Sequence, residues 1–213
     1  MLLPTTRTRP DAPGFGHRLA FRLGTRRVCQ GIPCSAASGE GRVDSAILDR
    51  LEAALDLIRA HEPRRLRRLA ADVRRILVAG KETAYGGTMF RDSGWCVFTV
   101  PYVTNAHMTV RTLACALVHE ATHARLTICR GLRDPRRRIR EERLCMRQER
   151  AFATLLPDGD TTVAWLDREL ARPDAEWAEA FRHQDDWHRA MKDNGVPKWL
   201  RRALSWLRRM RAA

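Results

Sequence analysis

The chain has 213 residues and a formal net charge of +14, with 44% hydrophobic and 30% charged residues. This length is typical of one domain that buries its own core, so neither disulfides nor a metal are needed merely to hold it together. The sequence has no apolar run of about 18 residues and no apolar segment typical of a secretion signal. Composition therefore argues against a membrane span and predicts a cytoplasmic protein with reduced cysteines.

The excess positive charge is concentrated at the two ends of the chain. Residues 1–43 carry seven arginines against two acidic residues, and residues 196–213 carry six basic residues against none. Basic segments of this kind bind nucleic acid or an anionic membrane surface. The charge predicts such a partner for the ends, while the central region is close to neutral.

Composition and periodicity divide the chain into three parts. Residues 1–42 are rich in Pro, Gly, Thr and Arg without helical or alternating periodicity, which predicts a disordered N-terminal extension. Residues 43–195 are expected to form the folded domain. In residues 196–213 apolar residues alternate with arginines, which predicts a basic amphipathic helix and a candidate for peripheral membrane contact.

Two helices are predicted at the start of the folded domain. Apolar residues recur every three or four positions behind a cap at Asp44 or Ser45, and Pro63 closes this first helix. The same period continues over residues 66–80 and predicts a second helix. Its last part, residues 76–78, is also compatible with the start of a strand.

A small sheet and further helices follow. The run Trp95–Val100 is β-branched and aromatic, with turn residues before it and Pro101 after it. It predicts a short antiparallel sheet of two or three strands. Helical segments are expected at residues 108–130, 135–155, 161–172, 174–193 and 198–211. The predicted fold class is α+β and mostly α.

A His-Glu-x-x-His motif lies within the third predicted helix, at residues 119–123. On a helix the imidazoles of His119 and His123 lie one turn apart on one face and can chelate one Zn²⁺. The carboxylate of Glu120 lies beside them, where it can take a proton from metal-bound water. Without a cation nearby, a carboxylate among the apolar residues of this helix would be costly.

A catalytic zinc site needs a third protein ligand, and the next helix offers candidates. Glu142 and Glu149 share a stripe with the apolar residues of that helix, so both are expected to point inward. A metal, or hydrogen bonds that orient its histidines, would explain carboxylates on such a face. Glu141 lies about 100° around the helix from Glu142 and is predicted to be a solvated ion-pair partner.

With the motif at residues 119–123 followed after 18 residues by Glu142, the chain resembles the gluzincin class of zinc metallopeptidases. The segments 117–126 and 143–153 are also similar to a set of uncharacterised bacterial proteins of about this size. The resemblance implies a zincin-like domain in which His119, His123 and Glu142 hold one zinc ion.

The chain departs from the class at two points. Thermolysin-like gluzincins place an Asp four residues after the ligating Glu, where this chain has Met146, and the Gly-x-Met-Glu-Asn loop of the aminopeptidases is absent. The resemblance therefore implies a metal-hydrolase site without a particular substrate. Glu149 either replaces the missing orienting carboxylate or is itself the ligand.

The expected activity is hydrolysis of peptide bonds in a peptide or protein substrate. Glu120 would act as general base and zinc-bound water as the nucleophile. The strand at residues 95–100 would pair with the extended substrate. Tyr102 and His107 are candidates for substrate binding or oxyanion stabilisation, and Tyr85, His183 and His188 are further candidates for the oxyanion role.

Two alternatives from other classes stay open. One is a metal-binding interaction protein without catalysis, although a purely structural site would not need Glu120. The other is a basic protein that binds nucleic acid or a membrane surface and in which the motif is incidental. That alternative predicts no stoichiometric metal and strongly salt-dependent binding to polyanions.

Overall fold

The fold is built on a mixed five-stranded sheet that carries helices on both faces. The structure is a computed structural model, which describes residues 13, 15–80, 87–90, 93–130 and 138–177. Its elements are α1 (Phe15–Leu23), β1 (Thr25–Cys29), β2 (Ile32–Ala37), α2 (Gly41–His61), α3 (Pro63–Asp72), β3 (Arg75–Ala79), β4 (Gly87–Phe90), β5 (Trp95–Phe98), α4 (Val100–Thr104), α5 (Val110–Arg130), α6 (Arg138–Ala153) and α7 (Asp160–Ala171). The predicted class, α+β and mostly α, is confirmed.

The chain divides into two units, Met1–Leu170 and Ala171–Ala213. The first contains the sheet and almost all of the helical residues named above. The second is described only as far as residue 177, where Arg172 pairs with Glu176 at 3.3 Å and its guanidinium lies over the ring of Trp177.

The strand order of the sheet is β1-β2-β3-β5-β4. β1 and β2 form an antiparallel hairpin whose turn residues, Gln30 and Gly31, have φ values of 50° and 81°, as tight hairpin turns require. β2, β3 and β5 run parallel, and β4 runs antiparallel to β5. β5 therefore lies inside the sheet, and β4 forms an edge.

Alternate residues of β3 point to different layers, as the two-residue period of a strand dictates. Ile76 and Val78 belong to the main core, which includes residues of α2 and α5. Leu77 belongs to a smaller cluster with Trp95, against which Phe21 of α1 packs. The sheet thus separates α1 from the layer that contains α5.

Residues 15–37 are folded, so the prediction of a disordered extension is wrong for this part of the chain. They form α1, β1 and β2, while residues 1–12 and 14 lie outside the described residues. The local pattern is weak because no residue of α1 is fully buried and β2 fills the core with small side chains such as Cys34, Ser35 and Ala36. The burial of β2 depends on its neighbours rather than on its own hydrophobicity.

The predicted sheet is also corrected. The second helix ends at Asp72 and β3 begins at Arg75, so the strand interpretation of residues 76–78 is the right one. The sheet has five strands instead of two or three, and it is mixed rather than antiparallel. The difference arises because the sequence pattern predicts a disordered extension where β1 and β2 form, and a helix where β3 forms.

The first predicted helix is confirmed as α2, but it begins at Gly41, before the predicted cap. Asp44 lies inside the first turn, where its carboxylate accepts a hydrogen bond from the backbone N–H of Ser38 at 2.7 Å. Asp44 is therefore buried, and its side chain connects the residue after β2 to the start of α2. Ser45, the other predicted cap, is exposed.

α5, α6 and α7 agree with the predicted helical segments, whereas the predicted strand at residues 95–100 ends at Phe98 and Val100 begins the unpredicted helix α4. The predicted C-terminal helix at 196–213 and most of the segment 174–193 lie outside the described residues. Among the described helices, none has the length and apolar character needed to cross a membrane. The cysteines that the structure describes, Cys29, Cys34, Cys96, Cys115 and Cys145, are buried and free of disulfides.

Candidate metal centre

Two histidines of α5 form the first half of the site. The hydroxyl of Thr109 accepts a hydrogen bond from the backbone N–H of Thr112 at 3.1 Å, which caps the start of this helix. His123 follows His119 by four positions, so the rings lie on one face, with centroids 5.0 Å apart. His123 is buried and His119 is half-buried.

Glu142 of α6 faces both imidazoles. Its Oε2 atom lies 3.4 Å from Nε2 of His119 and 3.4 Å from Nε2 of His123. One carboxylate oxygen and two imidazole nitrogens thus converge from two helices that pack against each other. A set of two nitrogens and one oxygen is typical of catalytic zinc sites.

Glu149 lies two turns beyond Glu142 and contacts the other nitrogen of one histidine. Its Oε2 atom is 3.0 Å from Nδ1 of His119. When Nδ1–H donates to this carboxylate, the lone pair of Nε2 is directed at Glu142 and is available to a cation. The sequence leaves two roles open for Glu149, a third metal ligand or a carboxylate that orients His119. This geometry favours the orienting role.

Cys145 lies at the same place and was not among the candidate ligands from the sequence. Ligand atoms of His119, His123 and Cys145 all lie within 4.8 Å of one another, so this buried group can hold a metal ion. A cysteine on the core face of a helix usually packs as a small apolar residue, so the sequence alone does not mark it as a metal ligand. The available signal was its position three residues after Glu142, on the same helical face.

The charges of the cluster favour a cation at its centre. Burial lowers the pKa of His119, but hydrogen bonds with Glu142 and Glu149 outweigh it and raise that pKa to about 10. Burial raises the pKa of Glu142, yet its hydrogen bonds to the two histidines hold that pKa well below the usual range. The two carboxylates therefore favour a positive charge at the position of the His119 ring.

Glu120 completes the motif on α5. Burial raises its pKa, the charges of Glu142 and Glu149 raise it further, and the histidines oppose them. Its charge also contributes to raising the pKa of Cys96, on the strand β5, although burial is the larger cause. The Glu120 carboxyl thus interacts electrostatically with the histidines of α5 and with Cys96 of β5.

Tyr102 is half-buried in α4, and His107 is on an exposed loop. Thr99 accepts a hydrogen bond from the backbone N–H of Tyr102 at 3.3 Å and caps α4, and the Tyr102 ring stacks on Phe98. Burial raises the pKa of Tyr102, with smaller contributions from the charges of Glu149 and Glu120. Tyr85, His183 and His188 lie outside the described residues.

Two expectations about the surroundings are wrong. Glu141 is buried, with 9% of its surface exposed, because α6 is covered on more than the face that carries Glu142. The strand at residues 95–100 has no free edge for a substrate, since β5 pairs with β3 on one side and with β4 on the other. The strand edge that lies next to α5 belongs to β4.

Comparisons of the chain with protein-family models, with curated proteins and with solved structures find no match.

Proposed function

We propose that the chain is a zinc-dependent metallopeptidase in which His119, His123 and Glu142 hold the metal. The observation that carries the proposal is the position of Glu142 Oε2, at 3.4 Å from Nε2 of both histidines. Two imidazoles and one carboxylate leave a fourth position open, which distinguishes catalytic from structural zinc sites. Bound zinc polarises a carbonyl and lowers the pKa of a coordinated water to about 7.

Glu120 is the general base in this proposal. It follows His119 directly in the chain, and its raised pKa suits a group that accepts a proton from the attacking water and passes it to the leaving amine. Tyr102, half-buried in α4, is the candidate for stabilising the developing oxyanion, through its phenolic O–H. The substrate would pair as an extended strand with β4, the edge next to α5.

Metal content tests the first half of the proposal. Purified wild-type protein is expected to contain about one zinc per chain, and the variants His119→Ala and Glu142→Ala are expected to lose it. Glu52→Gln, which replaces a half-buried carboxylate of α2 that pairs with Arg27 outside the metal-binding group, serves as a control that retains the metal. A wild-type protein without zinc after reconstitution would contradict the proposal.

Catalysis is tested separately with Glu120→Gln. This variant is expected to keep zinc and to cleave casein at least about 100-fold more slowly, because the general base is lost. Equal cleavage by wild type and variant would rule out Glu120 as the base. Zinc binding without any cleavage in the wild type would instead favour a metal-binding protein without catalysis.

The position of Cys145 favours a second candidate, a metal site without an open position. If the Cys145 thiolate binds together with His119 and His123, and Glu142, which contacts both histidines, supplies the fourth ligand, all four positions of a tetrahedral zinc site are filled by protein. Such a site would stabilise the contact between α5 and α6 without hydrolysing a substrate. The ligand spectrum of a cobalt-substituted protein distinguishes the two candidates.

A further inference from the structure

A concave site lies between α3, α5 and α6, on a different face of α5 from the histidines. Its volume is about 330 Å³, which falls in the range of small-ligand sites. Along α5 it is lined by Val118, Thr122 and Arg125, which share a face about 100° from that of His119. The pocket contains none of the residues assigned to the metal centre.

The floor of the pocket is apolar and its rim is cationic. Leu69, Val118, Ala121, Leu126 and Leu144 provide the apolar surface. Three guanidinium groups, those of Arg65, Arg68 and Arg125, stand around it with one carboxylate, Asp72. The lining therefore has a formal excess of positive charge over an apolar base.

The guanidinium groups are only partly used by the protein itself. Arg125 lies 3.7 Å from Asp72, beyond ordinary hydrogen-bond distance, and its side chain is 50% exposed. Arg65 bonds Glu62 through Nε and contacts Oε1 of Gln148 at 3.3 Å, which leaves the Gln148 amide NH₂ as a further donor. Fork-shaped donors of this kind match the oxygens of phosphate and carboxylate groups.

We propose that this pocket binds a small organic anion, with its phosphate or carboxylate held by Arg68 and Arg125 and its apolar body on the leucine floor. The arginines favour an anion by charge complementarity. The apolar surface favours an anion with an apolar body over a free inorganic ion, because the inorganic ion would bury no apolar surface. The site is independent of the metal centre, so the proposal stands or falls without the peptidase function.

Titration calorimetry with phenyl phosphate tests the proposal on the full chain. We expect saturable binding with one site per chain, and at least about tenfold weaker binding of inorganic phosphate, because the phosphate alone buries no apolar surface. Equal affinity for the two compounds would overturn the assignment of the apolar floor. An absence of saturable phenyl phosphate binding at millimolar concentration would overturn the site itself.

Two double variants separate a specific pocket from general attraction by a basic protein. Arg68→Gln with Arg125→Gln removes one pocket arginine from each of α3 and α5. Arg67→Gln with Arg111→Gln removes one exposed arginine from each of the same helices, outside the pocket, and Arg111 also pairs with an aspartate. The first pair is expected to weaken phenyl phosphate binding at least about tenfold and the second less than about twofold.

An equal loss of binding in both double variants would overturn the proposal in favour of non-specific electrostatics. Circular dichroism and thermal unfolding check that the variants fold. Because Arg125 is exposed and Arg68 lies on the helix surface, both substitutions are expected to preserve the fold.

Discussion

Glu149 of α6 is hydrogen-bonded to Nδ1 of His119 of α5 at 3.0 Å. When the neutral ring binds a metal, this bond fixes the ligating nitrogen, because a carboxylate that accepts from Nδ1–H leaves the lone pair on Nε2, which faces Glu142. One helix thus supplies the ring, and the other determines its orientation.

Replacing Glu149 by Gln is expected to lower zinc affinity about 10- to 100-fold while keeping one site per chain. The amide retains a hydrogen-bond acceptor but loses the negative charge that makes His119 a better ligand. Competition with a chromophoric chelator at fixed pH measures the affinity. With Glu52→Gln as the control, an unchanged affinity in Glu149→Gln would remove Glu149 from the site.

The cobalt-substituted protein reports whether Cys145 is a ligand. Under the peptidase proposal, three protein ligands hold the ion, and the thiolate-to-cobalt absorption in the near ultraviolet is expected to be absent. Cys145→Ser would then leave the spectrum unchanged, as would Cys115→Ser, a buried thiol of α5 outside the metal-binding group. An absorption present in the wild type and lost only in Cys145→Ser would establish the closed site instead.

Gly24→Ala tests the packing of α1, the first element of the N-terminal part that the sequence did not predict. A Cβ at Gly24 would collide with the carbonyl oxygens of Ala36 and Ala20. We expect a loss of about 1–3 kcal/mol in the free energy of unfolding, measured by urea denaturation. Gly16→Ala is the control, since nothing lies within 4 Å of its Cβ and alanine favours the helix. Equal stability of the two variants would contradict the docking of α1.

Asp44→Ala tests the link between β2 and α2. Removing the carboxylate leaves the N–H of Ser38 without its acceptor, at an expected cost of about 1–3 kcal/mol in the free energy of unfolding. Ser45→Ala, at the exposed neighbouring position, is expected to change stability by less than about 0.5 kcal/mol. The reverse ranking in thermal or urea unfolding would restore Ser45 as the functional cap.

The sequence predicted the features whose signal is local. The spacing of His119 and His123 requires only that α5 be a helix, and the inward position of Glu142 and Glu149 follows from the apolar stripe of α6. Their distances to one another depend on the packing of the two helices, which no periodicity contains. Cys145 was overlooked for the same reason, since its proximity to the histidines is a tertiary relationship.

The sheet was underestimated because its strands are short and depend on one another. β2 buries small residues that carry little β-propensity, and β3 continues the apolar period of the helix before it. Parallel pairing of β2, β3 and β5 joins segments that are distant in the chain. A strand that gains its burial from such neighbours cannot be recognised from its own residues.

The division of the site between two helices makes any bound cation a cross-link between them. Both imidazoles belong to α5, while Glu142, Cys145 and Glu149 belong to α6, so neither helix alone offers a complete set of ligands. Metal affinity would therefore measure how firmly the two helices are held together. A substitution that creates a cavity at Phe152, a fully buried apolar residue of α6, would therefore weaken metal binding although Phe152 is not a ligand. Conversely, added metal would raise the melting temperature.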